Sequence, residues 1–366
     1  MEIKKLTAVK LKEFVDSKEF KELDNIPISI PRALSHINNP RLDSNDIIMF
    51  MAYNNNKFIG YLGAVPDYIF VNNKKQKIAW LSCMWVDKSM RGQGIAPKLL
   101  AEADKTWDSN LFIVNFTQTA KNAYDKIYAF SKFKVYKGLR LYRRLNLAVL
   151  LPNKNKKAKK IYKLLKFIDL CSNFFIDIKN KIVSKKLDKN ITIQFVDNID
   201  DETLKIIEKT NNNNLTKRSK KELDWIINYP WILSSTEKNI DEKRYQFSIY
   251  NKRFLAPNIK IFYKNKFVGF VMLNIRDNHL RTPYIFADKQ NMNIISQVII
   301  DQIKNLKIDY VTTFNNELIN ELKKSSQFFY KKTQYRTFLI STKLLNKFKD
   351  ITKLDLQDGE GDSAFT

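Results

Sequence analysis

The segment NKFIGY at residues 56–61 returns as NKFVGF at 265–270, each copy following a run of aliphatic and aromatic residues closed by a polar turn. Six residues alone can match by chance, but the sequence downstream matches as well. IAWLSCMWV, APKLLAEADKTW, LFIVNF, AKNAYDKIYAF and FKVYKGLRLY follow the first copy. LRTPYIFA, NIISQVIIDQIKNL, IDYVTTF, NELINELKKS and QYRTFLIS follow the second. Read by alternation and by helical spacing, both series run strand, helix, strand, helix, strand. A repeat at the level of whole elements requires two copies of one fold. Adjacent strands without helices between them, then strand–helix–strand, predict an α/β (α+β) architecture. Each copy is expected to be a mixed, mostly antiparallel sheet flanked by helices, not a doubly wound parallel one.

The 366 residues exceed one ordinary core, in keeping with two domains. The sequence divides into a first copy at 1–150, a basic helical linker at 151–190, a second copy at 191–347 and an acidic tail at 348–366. Two cysteines and two histidines give neither a disulfide framework nor a zinc site, and no metal is expected. No apolar run approaches the roughly 20 residues of a membrane span, so a cytoplasmic location is expected.

The formal charge is +26. It invites nucleic acid, a membrane surface or an anionic substrate, although a Lys/Asn/Ile-rich composition accounts for much of it. Residues 151–190 hold twelve basic and three acidic side chains. There Ile161, Leu164, Leu165, Ile168, Cys171, Phe174, Phe175, Ile178 and Ile182 recur at helical spacing, with lysines between them. One reading is a basic amphipathic helix making peripheral membrane contact through 154–187. The other is an interdomain helix with its apolar face packed on a domain, favoured by Asp169 and Asp177 interrupting the basic face. Nucleic acid is not an expected partner.

The chain has eight glycines, and two stand together in Arg91-Gly92-Gln93-Gly94-Ile95-Ala96, after a strand and before a helix. The first turn of a helix offers unpaired N–H groups and the positive end of the macrodipole, both suited to phosphate. Glycine permits positive φ and close approach of an anion, and Pro97 suits the first helical turn. The spacing is neither a Walker loop nor the dinucleotide fingerprint.

This stretch resembles the acetyl-CoA signature of the Gcn5-related N-acetyltransferases (GNAT), R/Q-x-x-G-x-G/A, here Arg91-x-x-Gly94-x-Ala96 preceded by Val86. A later Tyr-x-x-x-Gly-Phe pattern is matched by Tyr128 to Phe133, with Lys132 in place of glycine. The resemblance covers roughly residues 1–145. It implies acetyl-CoA as co-substrate, its pyrophosphate held by N–H groups from Gly92 through Gln93, Gly94 and Ile95 to Ala96. Met84, Trp85 and Val86 would border the pantetheine arm, and Tyr128 would be the acid for the departing thiolate. The family often carries a Glu on the strand entering the turn. Here Lys77–Val86 has no carboxylate, with Trp80 or Ser82 in that region. The base must come from water, a backbone carbonyl or elsewhere, with Asp67 and His36 as candidates. Cys83 is a poor acyl-carrying nucleophile, being out of phase with Ser82 and Met84 and without a neighbouring histidine. ADKQNMNII, at the corresponding turn of the second copy, has no glycine or arginine, so that copy is expected to be degenerate. Trp225 and Trp231 are read as core, with an acceptor groove as the alternative.

Three functions stay open. The first is an acetyl-CoA-dependent N-acetyltransferase working in a ternary complex on a small amine, such as an amino sugar or a nucleotide-linked sugar of surface glycans. The second is Fem-like aminoacyl transfer to a cell-wall precursor, against which the retained G-x-A turn argues. The third is a non-catalytic module that binds membrane or nucleic acid through 151–190.

Overall fold

A computed structural model describes residues 1–72, 74–127, 129–183, 186–235 and 241–365. The first half runs β1 (Glu2–Leu6), α1 (Ala8–Asp16), α2 (Lys18–Glu22), α3 (Ile30–Ile37), β2 (Met49–Asn54), β3 (Lys57–Val71), β4 (Lys74–Val86), α4 (Ile95–Thr106), β5 (Leu111–Ile113), α5 (Gln118–Ile127) and β6 (Phe130–Tyr142). Next come α6 (Leu147–Lys154) and α7 (Tyr162–Val183). The second half opens with β7 (Ile191–Phe195), α8 (Asp201–Thr210) and α9 (Lys220–Asn228), then the short β8 (Leu233–Ser234), α10 (Asp241–Arg244), β9 (Tyr250–Asn251) and β10 (Phe254–Leu255). It closes with β11 (Asn258–Tyr263), β12 (Lys266–Arg276), β13 (His279–Ala287), α11 (Met292–Asn305), β14 (Tyr310–Thr313), α12 (Asn316–Lys323), β15 (Tyr330–Ser341) and α13 (Thr342–Lys347).

The two copies share one sheet. Its order is β1-β2-β3-β4-β5-β15-β6-β14-β13-β12-β11-β7, with β10 beside β12. All neighbouring pairs on this path are antiparallel except β4–β5 and β13–β14. The last long strand of each half is exchanged: β15 lies next to β5, and β6 next to β14. β6 and β15 pair with each other over nearly their whole length, from Phe130↔Ser341 to Tyr142↔Tyr330. The sequence puts β6 before residue 150 and β15 after 191, yet each strand completes the sheet of the other half. Neither sheet is finished without the other copy.

A shared core seals this seam. Trp80, Phe112 and Phe133 of the first half pack with Trp225, Trp231, Phe270 and Tyr284 of the second. A buried ionic network lies beside it. Arg41 contacts Asp67 at 2.5 Å and Glu222 at 3.0 Å, and Arg218 joins Asp67 at 2.8 Å and also Glu360. Removing one member strands a buried charge, a change that typically costs about 3–5 kcal/mol.

Two stretches differ from the expectation. The helix in 151–190 forms, but its apolar side does not pack inward. α7 is anchored by polar groups: Asn173 bonds the backbone N–H and C=O of Leu145, and Asp169 accepts from the N–H groups of Leu147 and Ala148. Asp177 pairs with Arg144 at 3.3 Å. Asp169 and Asp177 thus belong to the attachment face and interrupt nothing on the outer one. The acidic stretch at the other end is ordered and buried at Glu360, Gly361, Ser363, Ala364 and Phe365. Its Phe365 ring stacks on Trp231, centroids 4.3 Å apart.

Candidate active site at a splayed strand pair

β4 and β5 pair in parallel only at Ala79↔Leu111, Trp80↔Phe112 and Leu81↔Ile113. Beyond Leu81 the strands part, and the β4 edge from Ser82 to Val86 has no partner strand on that side among the described residues. On its other side β4 keeps Gly60↔Val86 and Tyr61↔Trp85, then slips by one residue before Gly63↔Ser82. The extra residue is a β-bulge with Cys83 at φ +53°. A non-glycine residue there is strained by about 1 kcal/mol or more, a feature that clusters at functional sites.

The bulge changes which side chains face the gap. Strict alternation would put Cys83 opposite Ser82. Instead both turn to the same side, where Arg32 of α3 donates to Ser82 Oγ and, at 2.6 Å, to Cys83 Sγ. Met84 and Val86 pack toward α4, while Trp85 stacks with Phe58 and Tyr61 on the opposite face. Burial pushes the Cys83 thiol up despite Arg32. The group is therefore a protonated neighbour at neutral pH and not a ready thiolate.

The glycine turn follows β4. Arg91 bonds back to the Val86 carbonyl at 3.2 Å, and a short 3₁₀ turn (Lys88–Met90) leads into it. Gly92 has φ +85°, and Gly94, the N-cap of α4, has φ +76°. Nothing lies within 4 Å of where a Cβ would stand at either glycine, so the demand is conformational and leaves an open cradle. Arg91 and Gln93 are exposed, Ala96 is half-buried and Ile95 is buried beneath the turn. The first-turn N–H groups point outward from a helix start free of acidic side chains.

A cavity of about 240 Å³ sits in the splay, walled by Ser82, Cys83, Met84, Tyr124, Trp231 and Asp362. Asp362 comes from the far end of the chain. Its carboxylate accepts from Ser82 Oγ at 2.8 Å and Asn115 Nδ2 at 3.3 Å, and lies 3.7 Å from Arg32. Gly361 makes this possible: it has φ +65°, and a Cβ there would come within 2.9 Å of Val114 and 3.1 Å of Trp80. The carboxylate lacking on β4 is thus supplied by a residue some 280 positions later. Tyr124 of α5 reaches the same cavity. Burial, with Asp362 and Cys83 nearby, raises its phenol above the usual range and keeps it protonated.

The other expected site residues lie elsewhere. Asp67 is outside the cavity, with its carboxylate taken up by Arg41, Arg218 and Trp80 Nε1. Burial opposes its ionisation, but Arg218 and Arg41 outweigh this and hold the carboxyl below its usual value. A group so satisfied anchors the seam and is not placed to accept a substrate proton. His36 does not line the cavity. It is buried against Trp231, centroids 5.3 Å apart, and neither ring nitrogen has a hydrogen-bond partner among the described residues. Burial and Arg32 hold it neutral, its pKa well below 6.5. Tyr128 lies outside the described residues. Trp225 and Trp231 are both buried in the shared core, and Trp231 also walls the cavity.

Asp362 was hidden from motif reading by sequence distance. Tyr124 carried a local signal, four residues before Tyr128 in the sequence, on the helix that follows the splayed strand. Among the described residues, no group of three or more His, Cys, Asp or Glu could hold a metal ion, and no helix is long and apolar enough to cross a membrane.

A second cavity of about 440 Å³ shares Asn115 and Phe116 with the first. It is lined by Arg140 of β6, His279 and Arg281 of β13, and Arg336 of β15. Burial and Arg336 push Arg281 down to about 10. Burial, with Arg140 and Arg281, also keeps His279 well below its ordinary value.

Residues 16–126 match the model of the acetyltransferase (GNAT) family. No curated protein sequence matches the chain. Its fold is similar to that of a GCN5-related N-acetyltransferase from Anabaena variabilis ATCC 29413, with a TM-score of 0.50 and 12% identity over 92% of this chain and 72% of that one. A conserved protein of unknown function from Enterococcus faecalis V583 gives a TM-score of 0.51, 12% identity and the same two coverages. At that identity the two likenesses speak for the fold. The family match falls on the half that carries the glycine cradle, the splay and the bulged strand, and it is over residues 16–126 that the chain is similar to the GNAT acetyltransferases.

Proposed function

We propose that the protein transfers an acetyl group from acetyl-CoA to the amine of a small acceptor, directly and within a ternary complex, and that the chemistry takes place at the splay of the first half with Asp362 delivered to it from the end of the second. The observation that carries this reading is the continuity of the site. A turn with two positive-φ glycines opens beside an unpaired strand edge, and that edge borders a cavity holding a carboxylate and a buried phenol. The open space at both glycines fits a pyrophosphate approached by backbone N–H groups from Gly92 to Ala96.

Acetyl-CoA would supply the activated acyl group as a thioester. Asp362 takes the proton from the attacking amine as the new C–N bond forms, with Ser82 and Asn115 holding the carboxylate in position. Backbone N–H groups on the β4 edge from Ser82 to Val86 polarise the carbonyl, a role typically worth ~3 kcal/mol. Tyr124 gives its proton to the sulfur as the C–S bond breaks. Arg32 orients both Ser82 and the Asp362 carboxylate.

Arg140, Arg281 and Arg336 in the adjoining cavity support an acceptor with a negatively charged substituent, as in a nucleotide-linked amino sugar. Calorimetric titration with acetyl-CoA tests the reading, expecting one site per chain that Gly94→Asp abolishes. A wild-type protein without acetyl-CoA affinity would overturn it. With binding established, an amine panel should favour anionic acceptors, and Arg140→Ala should raise KM for those alone.

A further inference from the structure

α7 is built inside out for a helix on a protein surface. Over its 22 residues, about 33 Å in length, the inward residues are Leu165, Asn173 and Asn180, and the anchoring contacts are polar. The outward side carries Leu164 (55% exposed), Phe167 (62%), Leu170 (70%), Phe174 (63%), Phe175 (69%) and Ile182 (79%). At 100° per residue these fall within an arc of about 140° of the helix circumference. Lys166 stands along one border of this apolar face and Lys179 along the other, with Lys163 and Lys181 just inside the first border between the positions of Leu170 and Phe174, all exposed.

This pattern excludes the ordinary uses of an amphipathic helix. A core-facing helix would turn Phe174 and Phe175 inward. A helix on water would not expose six large apolar side chains in one field. Pairing with a second copy would bring two lysine-bordered faces together on chains that each carry +26. An anionic lipid surface satisfies both parts at once, taking apolar side chains at the boundary between headgroups and acyl chains and lysines among the phosphates.

We propose that the exposed face of α7 lays the protein on an anionic membrane surface, with Phe167, Phe174 and Phe175 inserted and the flanking lysines on lipid phosphates. The attachment lies in the plane of the interface and does not span it. This inference is independent of the acyl-transfer reading, since no residue of the candidate site takes part.

Sedimentation of the full chain with vesicles tests it. The protein should pellet with vesicles of phosphatidylcholine containing phosphatidylglycerol, and not with phosphatidylcholine alone. The double variant Phe174→Ser, Phe175→Ser should weaken binding by roughly tenfold or more. Lys163→Glu with Lys181→Glu should do the same, and added salt should weaken the wild type. Both variants should unfold at the wild-type temperature, because the changed side chains point away from the protein. Failure to bind phosphatidylglycerol vesicles would overturn the proposal. So would unchanged binding by the phenylalanine variant, or a solution dimer that this variant dissociates.

Discussion

Both halves of the molecule open the same gap in their sheets: β4 leaves β5 after Leu81, and β13 leaves β14 after Arg281. The repeat fixes the correspondence, because Gly60 of NKFIGY pairs with Val86 and Gly269 of NKFVGF pairs with Ala287. Counting back, Ile285 stands where Met84 stands. In the first half the edge at Met84 borders a cavity. In the second the N–H of Ile285 donates to Gln357 Oε1 at 2.9 Å, and Gly359 bonds Pro283 at 2.8 Å. The acidic stretch therefore plugs the second gap on its way to delivering Asp362 into the first. The helix starts differ too. Gly92 and Gly94 have positive φ, whereas Asn291 before α11 has φ −92° in the ordinary helical region. The same fold thus yields an open cradle or a filled slot according to turn backbone and what occupies the strand edge.

The largest expected effect tests the delivered carboxylate. Asp362→Asn keeps the shape and the Ser82 contact but cannot take up a proton, so kcat should fall about 10²- to 10⁴-fold. Acetyl-CoA affinity, measured calorimetrically, should stay near wild type. A full loss of acetyl-CoA binding instead would mean that Asp362 only holds the site together.

The next effect concerns the cradle. Gly94→Val puts a β-branched residue at φ +76°, where the left-handed conformation costs an L-residue ~1–2 kcal/mol. With the turn displaced, acetyl-CoA affinity should drop roughly 100-fold. Asn291→Gly in the second half should leave both affinity and stoichiometry unchanged. A second site appearing in that variant would break the distinction between the halves.

How far the sequence revealed this contrast depends on range. The repeated strands, the helix periodicities and the glycine turn are local signals, and each has its counterpart in the structure, although the helix read in AKNAYDKIYAF ends at Ile127, Phe130 already belongs to β6, and the strand read in LFIVNF ends at Ile113. The exchange of β6 and β15 was not legible, because each strand has the same alternation whichever sheet it joins. The Cys83 bulge was hidden for a related reason: one extra residue on a strand leaves no mark in a single sequence. Asp362 depends on a contact across most of the chain, and QDGEGDSAFT reads only as part of an acidic tail until Gly361 is seen against Trp80. In α7 the amphipathic pattern was legible but its direction was not, since that depends on where Asn173 and Asp169 find partners.

A smaller effect separates the two histidines, one in each half, His36 buried and His279 half-buried. Both have folded pKa values well below 6.5. The unfolded chain therefore binds protons that the folded one does not, and stability present above about pH 6.5 is lost as pH falls below it. The slope should approach ~1.4 kcal/mol per pH unit for each histidine, read from urea midpoints between neutral and mildly acidic pH. His36→Leu should remove one share of that slope without weakening the fold at neutral pH, because its ring nitrogens have no partner among the described residues. His279 Nε2 instead meets Thr312 Oγ1 at 2.9 Å, so His279→Leu should lower stability at neutral pH as well. Equal behaviour of the two variants would contradict the contrast.

The smallest expected effect bears on the plug itself. Gln357→Ala leaves the Ile285 N–H without its acceptor, a loss of about 1 kcal/mol in unfolding free energy. Acetyl-CoA stoichiometry should remain at one per chain. Opening the strand edge does not rebuild a cradle, because the turn before α11 still lacks a positive-φ residue. If the stoichiometry rose to two, the plug alone would be what keeps the second half silent, and the turn backbone would carry no share of the difference.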